Sequence, residues 1–189
     1  MAADRATPTT SRLSVDDWIR AGYAVLAEEG IKALKIDRLC SRLGVTKGSF
    51  YWHFADMASY RAMLVAAWGD LRDDDRRHFG ELAGTPPRER LSQMMSSLLS
   101  ARHWTLERAM REWARTDDAV AASVRAADQR VLTAVRQAFL DYGFDSDEAD
   151  LRANATFAAG IGFLHLSGQM PNARGAARRE RFLAIMLAR

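Results

Sequence analysis

The eleven residues Gly44–Phe54, GVTKGSFYWHF, carry five rings, Phe50, Tyr51, Trp52, His53 and Phe54, in a chain that is only 9% aromatic. A glycine, Gly48, stands in their midst. The preceding segment Ile36–Leu43 has the apolar spacing of a short helix, Gly44 makes a turn, and a second short helix is predicted from Thr46 to His53 or Phe54. Two short helices joined by a glycine turn have the layout of a helix-turn-helix. Such helices cross tightly, and Cys40, four residues before Gly44, supplies a small side chain at the crossing.

At about 100° per residue, Phe50 and Phe54 fall on one face of the second helix and are predicted to point to the core. Gly48 and Trp52 lie opposite, with Ser49 and His53 on one flank and Tyr51 on the other. A glycine inside a helix costs about 1 kcal/mol relative to alanine. That cost makes sense if another surface must approach the backbone there. Hydroxyls, an ammonium, an imidazole and a phenol at the start of a helix suit phosphates and base edges in a major groove. The competing reading folds Tyr51, Trp52 and His53 back over neighbouring helices, where they complete a small core.

Charge is distributed to match. The chain of 189 residues has a formal net charge of +3 and a sequence pI near 9.3, which permits nucleic acid as a partner without requiring it. Between Ile31 and His53, Lys32, Lys35, Arg38, Arg42 and Lys47 face a single acidic residue, Asp37. The single cysteine excludes an internal disulfide and fits a reducing cytoplasm. The first twelve residues, MAADRATPTTSR, lack the apolar core of a secretory signal, and residues 1–13 read as a flexible polar tail. The most apolar segment, Ala155–Leu166, is too short to span a bilayer.

The whole chain reads as all-α, with about nine helices, because no run of alternating β-branched residues occurs. A first helix starts at the Ser14–Asp17 capping box and ends at Gly30. After the helix-turn-helix, Asp56 caps a long helix toward Phe79, and Pro86–Pro87 opens another through Leu99. Further helices are predicted near Leu106–Arg115, Asp118–Tyr142, Asp145–Ser167 and Ala176–Ala188. The run Asp73–Asp75, flanked by Arg72, Arg76 and Arg77, reads as a solvated, salt-laced helix face. His53, His78, His103 and His165 are too scattered for a ligand pair at helical spacing, so no metal site is predicted.

The stretch G-V-T-K-G-S-F-Y-W-H-F resembles the helix-turn-helix signature of the TetR family of transcriptional regulators, specifically from Ile19 to Leu64 and loosely after Ala83. The resemblance implies a DNA-binding domain over residues 14–60, with its recognition helix at about 46–54. It implies a regulatory domain over residues 61–189 that dimerises and holds an inducer, whose arrival releases a palindromic operator. Thr46, Lys47, Gly48, Ser49, Tyr51 and His53 occupy positions that meet DNA in such proteins, Tyr51 and His53 mostly through phosphates. Lys35 and Trp52 complete the set of candidate DNA-facing residues. The chain departs from the family pattern at Lys35, where a capping Ser or Thr is usual, and at Met57, where Lys is common.

In the second domain, Met94, Leu98, His103, Trp104, Met110, Trp113 and Phe157 read either as plain core or as the wall of an apolar effector cavity, since adaptable Met beside Trp serves both. The segment Asp145–Ser167 is apolar on more than one face and asks for cover on two sides. Phe157, Gly160, Phe163, Leu164, Phe182 and Met186 are the candidate dimer contacts, with burial inside one subunit as the alternative. One rival, a small all-helical enzyme, would need a constellation of nucleophile, base and orienting group that this sequence does not assemble, and no cofactor is implied. The remaining rival is a helical interaction module whose aromatic surface docks a protein.

Overall fold

The computed structural model describes residues 13–98, 101–166 and 173–188. Among them lie nine α-helices and no strand: α1 (Val15–Glu29), α2 (Ile36–Leu43), α3 (Lys47–His53), α4 (Met57–Glu81), α5 (Pro87–Leu98), α6 (Ala101–Trp113), α7 (Asp118–Tyr142), α8 (Ser146–Leu166) and α9 (Ala173–Met186). The tail predicted over residues 1–13 lies outside the described residues except for Leu13, which packs on the core of the first helices.

The helix ends follow local hydrogen bonding. At the start of α1 the Ser14 main-chain amide donates to Asp17 Oδ2 at 2.8 Å, and the Asp17 amide donates to Ser14 Oγ at 3.3 Å, closing the capping box. Asp56 Oδ1 accepts from the Ser59 amide at 2.7 Å at the head of α4, and Asp145 Oδ1 accepts from that of Glu148 at 2.9 Å before α8. Asp117 does the same for α7, accepting from Ala119 and Val120. Gly44 and Gly143 close α2 and α7 with φ of 68° and 105°, a left-handed conformation that favours glycine. Lys35, at the head of α2, makes no side-chain cap.

Two cores organise the chain. The first gathers Trp18, Leu26, Leu39, Phe50, Phe54 and Tyr60, and then continues along α4 through Leu64 and Trp68 to Met110 and Trp113 of α6 and Val120 and Val124 of α7. The expected division at residue 60 therefore falls within α4, whose buried side chains on both sides of it share this one core. The second core joins Leu91, Met94, Phe139, Ala149, Ala153 and Leu183 of α5, α7, α8 and α9. α6 begins at Ala101, five residues before its expected start, and buries Trp104 against Ile161 and Phe163 of α8.

Candidate nucleic-acid interface and effector cavity

α3 is held from beneath by a box of rings. Phe50 meets Trp18 edge-on with centroids 5.5 Å apart and meets Tyr60 at the same distance, while Phe54 lies 4.9 Å from Tyr60 and 6.1 Å from Trp18. Both phenylalanines are buried. On the outer side Tyr51 is 56% and Trp52 64% exposed, so these two rings face solvent. His53 is half-buried, its ring 6.2 Å from Trp18 and 5.6 Å from Trp52. Thr46, Lys47 and Gly48 are exposed and Ser49 is half-buried. A methyl group placed on Gly48 would meet only Thr46 Oγ1, at 3.6 Å, so the glycine faces open space.

The basic side chains around this surface have acidic partners. Lys47 Nζ lies 2.6 Å from Asp37 Oδ1, and this hydrogen bond holds the ammonium pKa above its ordinary value. Arg38 donates to Glu29 at 2.9 Å, and Arg42 makes two 2.7 Å bonds to Glu28. The excess of positive charge read over residues 31–53 is thus partly offset by two glutamates at the end of α1, just outside that window. Lys35 is exposed at the head of α2.

A second feature lies farther along the chain. A partly open cavity is lined by residues of α4 to α9. Met94 and Phe157, expected at an effector site, line it, as do Gly160, Phe163 and Phe182, expected at a dimer contact. Met186 is half-buried against the second core. The side chains of Leu98, His103 and Leu164 lie outside the described residues.

Met110 and Trp113 do not line the cavity and sit in the first core instead. The reason is angular: at about 100° per residue, Trp104, Glu107 and Arg111 fall within about 60° of each other on α6, while Trp113 points away from Trp104. Trp104 itself packs on Ile161 and Phe163, two of the cavity-lining residues.

The cavity also holds charges that the sequence pattern did not reveal. Arg72 is buried, contrary to its reading as part of a solvated face, and its Nη2 lies 3.6 Å from Glu107 Oε2. Glu107, 4% exposed, also faces Arg111 at 2.8 Å, and Arg111 donates twice to Asp128, at 3.0 and 2.5 Å. Burial opposes the charge on Arg111, but the Asp128 hydrogen bonds and the Glu107 carboxylate outweigh it and raise its pKa. The side chains of Asp73–Asp75 lie outside the described residues. The available signal was the i, i+4 pair Glu107–Arg111 on the face of α6 that carries Trp104, a charge pair on an apolar stripe.

Among the described residues no group of three or more His, Cys, Asp or Glu side chains could hold a metal ion, and no helix is long and apolar enough to cross a membrane.

Residues 19–59 match the family described as bacterial regulatory proteins, tetR family. Curated protein sequences give no match. The fold is similar to that of a TetR transcriptional regulator from Legionella pneumophila (TM-score 0.77, 9% identity, 95% of this chain and 100% of that one). It is also similar to a TetR-like transcriptional regulator from Rhodococcus sp. RHA1 (TM-score 0.70, 18% identity, 95% and 97%) and to a second Rhodococcus regulator (TM-score 0.69, 20% identity, 93% and 94%). The matched segment spans α1 from Ile19, both short helices and the first turn of α4. Residues 19–59, which hold the two short helices and their glycine turn, thus match the tetR family of bacterial regulatory proteins, on a chain whose fold is similar to that of solved regulators of this kind.

Proposed function

We propose that the protein is a cytoplasmic, homodimeric repressor that reads a palindromic operator through α3 and leaves it when an apolar or aromatic effector enters the cavity. The observation that carries the DNA-reading part is the division of α3. Phe50 and Phe54 anchor the helix, while Tyr51, Trp52 and an unobstructed Gly48 face outward. Thr46, Lys47, Ser49 and His53 flank that surface, and Lys35 adds a cation nearby. The effector reading rests on a cavity reached by α4, the helix that also packs under α3. An effector that favours the DNA-free conformation must release DNA by linkage. The activity is binding, with no catalytic step.

Selection of duplexes from a random library, followed by footprinting, tests this reading. Two half-sites about 10 base pairs apart, or a multiple of that, are expected. Gly48→Ala should keep or raise thermal stability, since its methyl enters open space and improves helix propensity, yet weaken operator binding. Tyr51→Ala should fold normally and also bind weakly. If both variants bind like the parent at physiological salt, the surface does not read DNA, and a protein-docking module takes its place.

A further inference from the structure

The polar groups of the cavity are arranged for one kind of guest. Among its described lining residues the charged side chains are Arg72, Arg111 and Glu107, two guanidinium cations against one carboxylate, a net +1 facing the space. Asp128, the other partner of Arg111, does not line it. Glu107 faces both arginines, Oε1 against Arg111 at 2.8 Å and Oε2 against Arg72 at 3.6 Å. Among the described lining residues, Arg111 Nε and the Thr156 hydroxyl are buried donors with no hydrogen-bond partner. Thr156 is only 6% exposed and lines the cavity from α8. An orphaned donor in an apolar wall is costly unless something accepts its hydrogen bond. The rest of the lining is apolar, with Leu91, Met94, Val135, Phe157, Ile161 and Phe182.

We propose that the cavity takes an apolar monocarboxylate, its anionic head held at Arg72, Arg111 and Thr156 and its body against the α5, α7 and α8 side chains. The head supplies the acceptor that Thr156 lacks and sets its oxygens against the two guanidinium groups that line the space. This inference rests on the cavity being the effector site. It goes beyond that reading by stating the charge and shape of the effector. The Arg72–Glu107 contact, at 3.6 Å, is longer than a hydrogen bond, whereas Arg111 and Asp128 are joined by two.

The test is calorimetric titration of the full-length protein with hexanoate, octanoate, decanoate and phenylacetate, each against its neutral primary amide. At least one carboxylate should bind about tenfold or more tightly than its amide, the difference expected for hydrogen bonds to a charged group. Thr156→Val, a near-isosteric change, should weaken the carboxylate. Glu107→Gln raises the lining charge and should tighten it, a gain that a merely damaged fold does not produce. Amides binding as well as their acids, or Glu107→Gln leaving carboxylate affinity unchanged in a folded protein, would overturn the proposal while leaving an apolar effector site intact. No binding of any of the acids also overturns it. DNA release is followed in parallel: a carboxylate that binds as expected but leaves DNA bound upholds the guest and sinks the effector role.

Discussion

The Tyr60 hydroxyl, on α4, donates to the main-chain carbonyl of Trp18, on α1, at 2.8 Å, and a methyl group on Gly22 one turn farther along α1 would stand 2.1 Å from that same oxygen. Tyr23 makes the parallel bond to the Leu64 carbonyl, also at 2.8 Å. Burial pushes both phenols well above their ordinary pKa, so they stay protonated donors. α1 and α4 are thus fastened by two phenols across a glycine gap. Tyr60→Phe should cost about 1 kcal/mol. Gly22→Ala should cost about 1 to 3 kcal/mol through overpacking, despite its better helix propensity. Because Tyr60→Phe removes the nearest obstructing atom, Gly22→Ala should cost less in that background. Urea unfolding of the four proteins reads this coupling, and an equal cost in both backgrounds would contradict it.

Phe50→Ala and Phe54→Ala should each destabilise the protein by about 3 to 5 kcal/mol, the range for a fully buried ring. Thermal or denaturant unfolding checks this. Losses within a few tenths of a kcal/mol would mean that the ring box around Trp18 is not what holds α3.

Lys47 sits in an exposed ion pair with Asp37, so neither side chain should matter much to folding. On DNA the pair must open for Lys47 to reach a phosphate. Asp37→Asn should therefore strengthen binding to duplexes of any sequence. Lys47→Ala should weaken it uniformly and reduce the salt slope by about 1. Unchanged slopes in both variants would place Lys47 away from the backbone.

The Asp17 carboxyl is drawn from its ordinary 3.8 to about 2, first by the Ser14 main-chain amide, then by the Ser14 hydroxyl and Arg20. A depressed pKa in the folded state means that the contribution is complete above about pH 4 and is lost as pH falls through about 2. The stability difference between the parent and Asp17→Asn should shrink over that window. A difference that stays constant from pH 5 to pH 2 would show that the capping carboxylate does not titrate there.

Of the proposed dimer contacts, Phe157, Gly160, Phe163 and Phe182 also line the cavity, so charged substitutions there would test two proposals at once. Leu151 on α8 and Ile185 on α9, each 65% exposed, separate them. Leu151→Asp with Ile185→Asp should give a folded monomer by light scattering at micromolar concentration. A monomeric parent would refute self-association, and a dimeric double variant would place the contact elsewhere.

What was legible in the sequence was whatever local chemistry fixes. Ser14 with Asp17, Gly44, Asp145 and Gly143 act on their own backbone neighbours, so the bounds of α1, α2, α7 and α8 lie within a residue or two of expectation. The inward pair Phe50 and Phe54 followed from helical periodicity alone. The burial of Arg72 did not, because its partner Glu107 is 35 positions away in the chain and three aspartates stand next to it. α6 starts before its expected bound for a similar reason: the reward for Trp104 is contact with α8, which the local pattern does not show, although Ser100, directly before Ala101, is of a residue type that favours an N-cap.

The core that runs from Trp18 through Trp68 to Trp113 and Val124 bears on how the chain could be re-engineered. A graft that exchanged only the first 60 residues for those of a relative would leave Leu64, Trp68, Met110 and Trp113 fitted to a surface no longer there. Transplanting the recognition unit requires taking the underside of α4 and the Met110–Trp113 face of α6 with it. The helix-turn-helix and the helices around the cavity are thus, in this chain, not freely interchangeable parts.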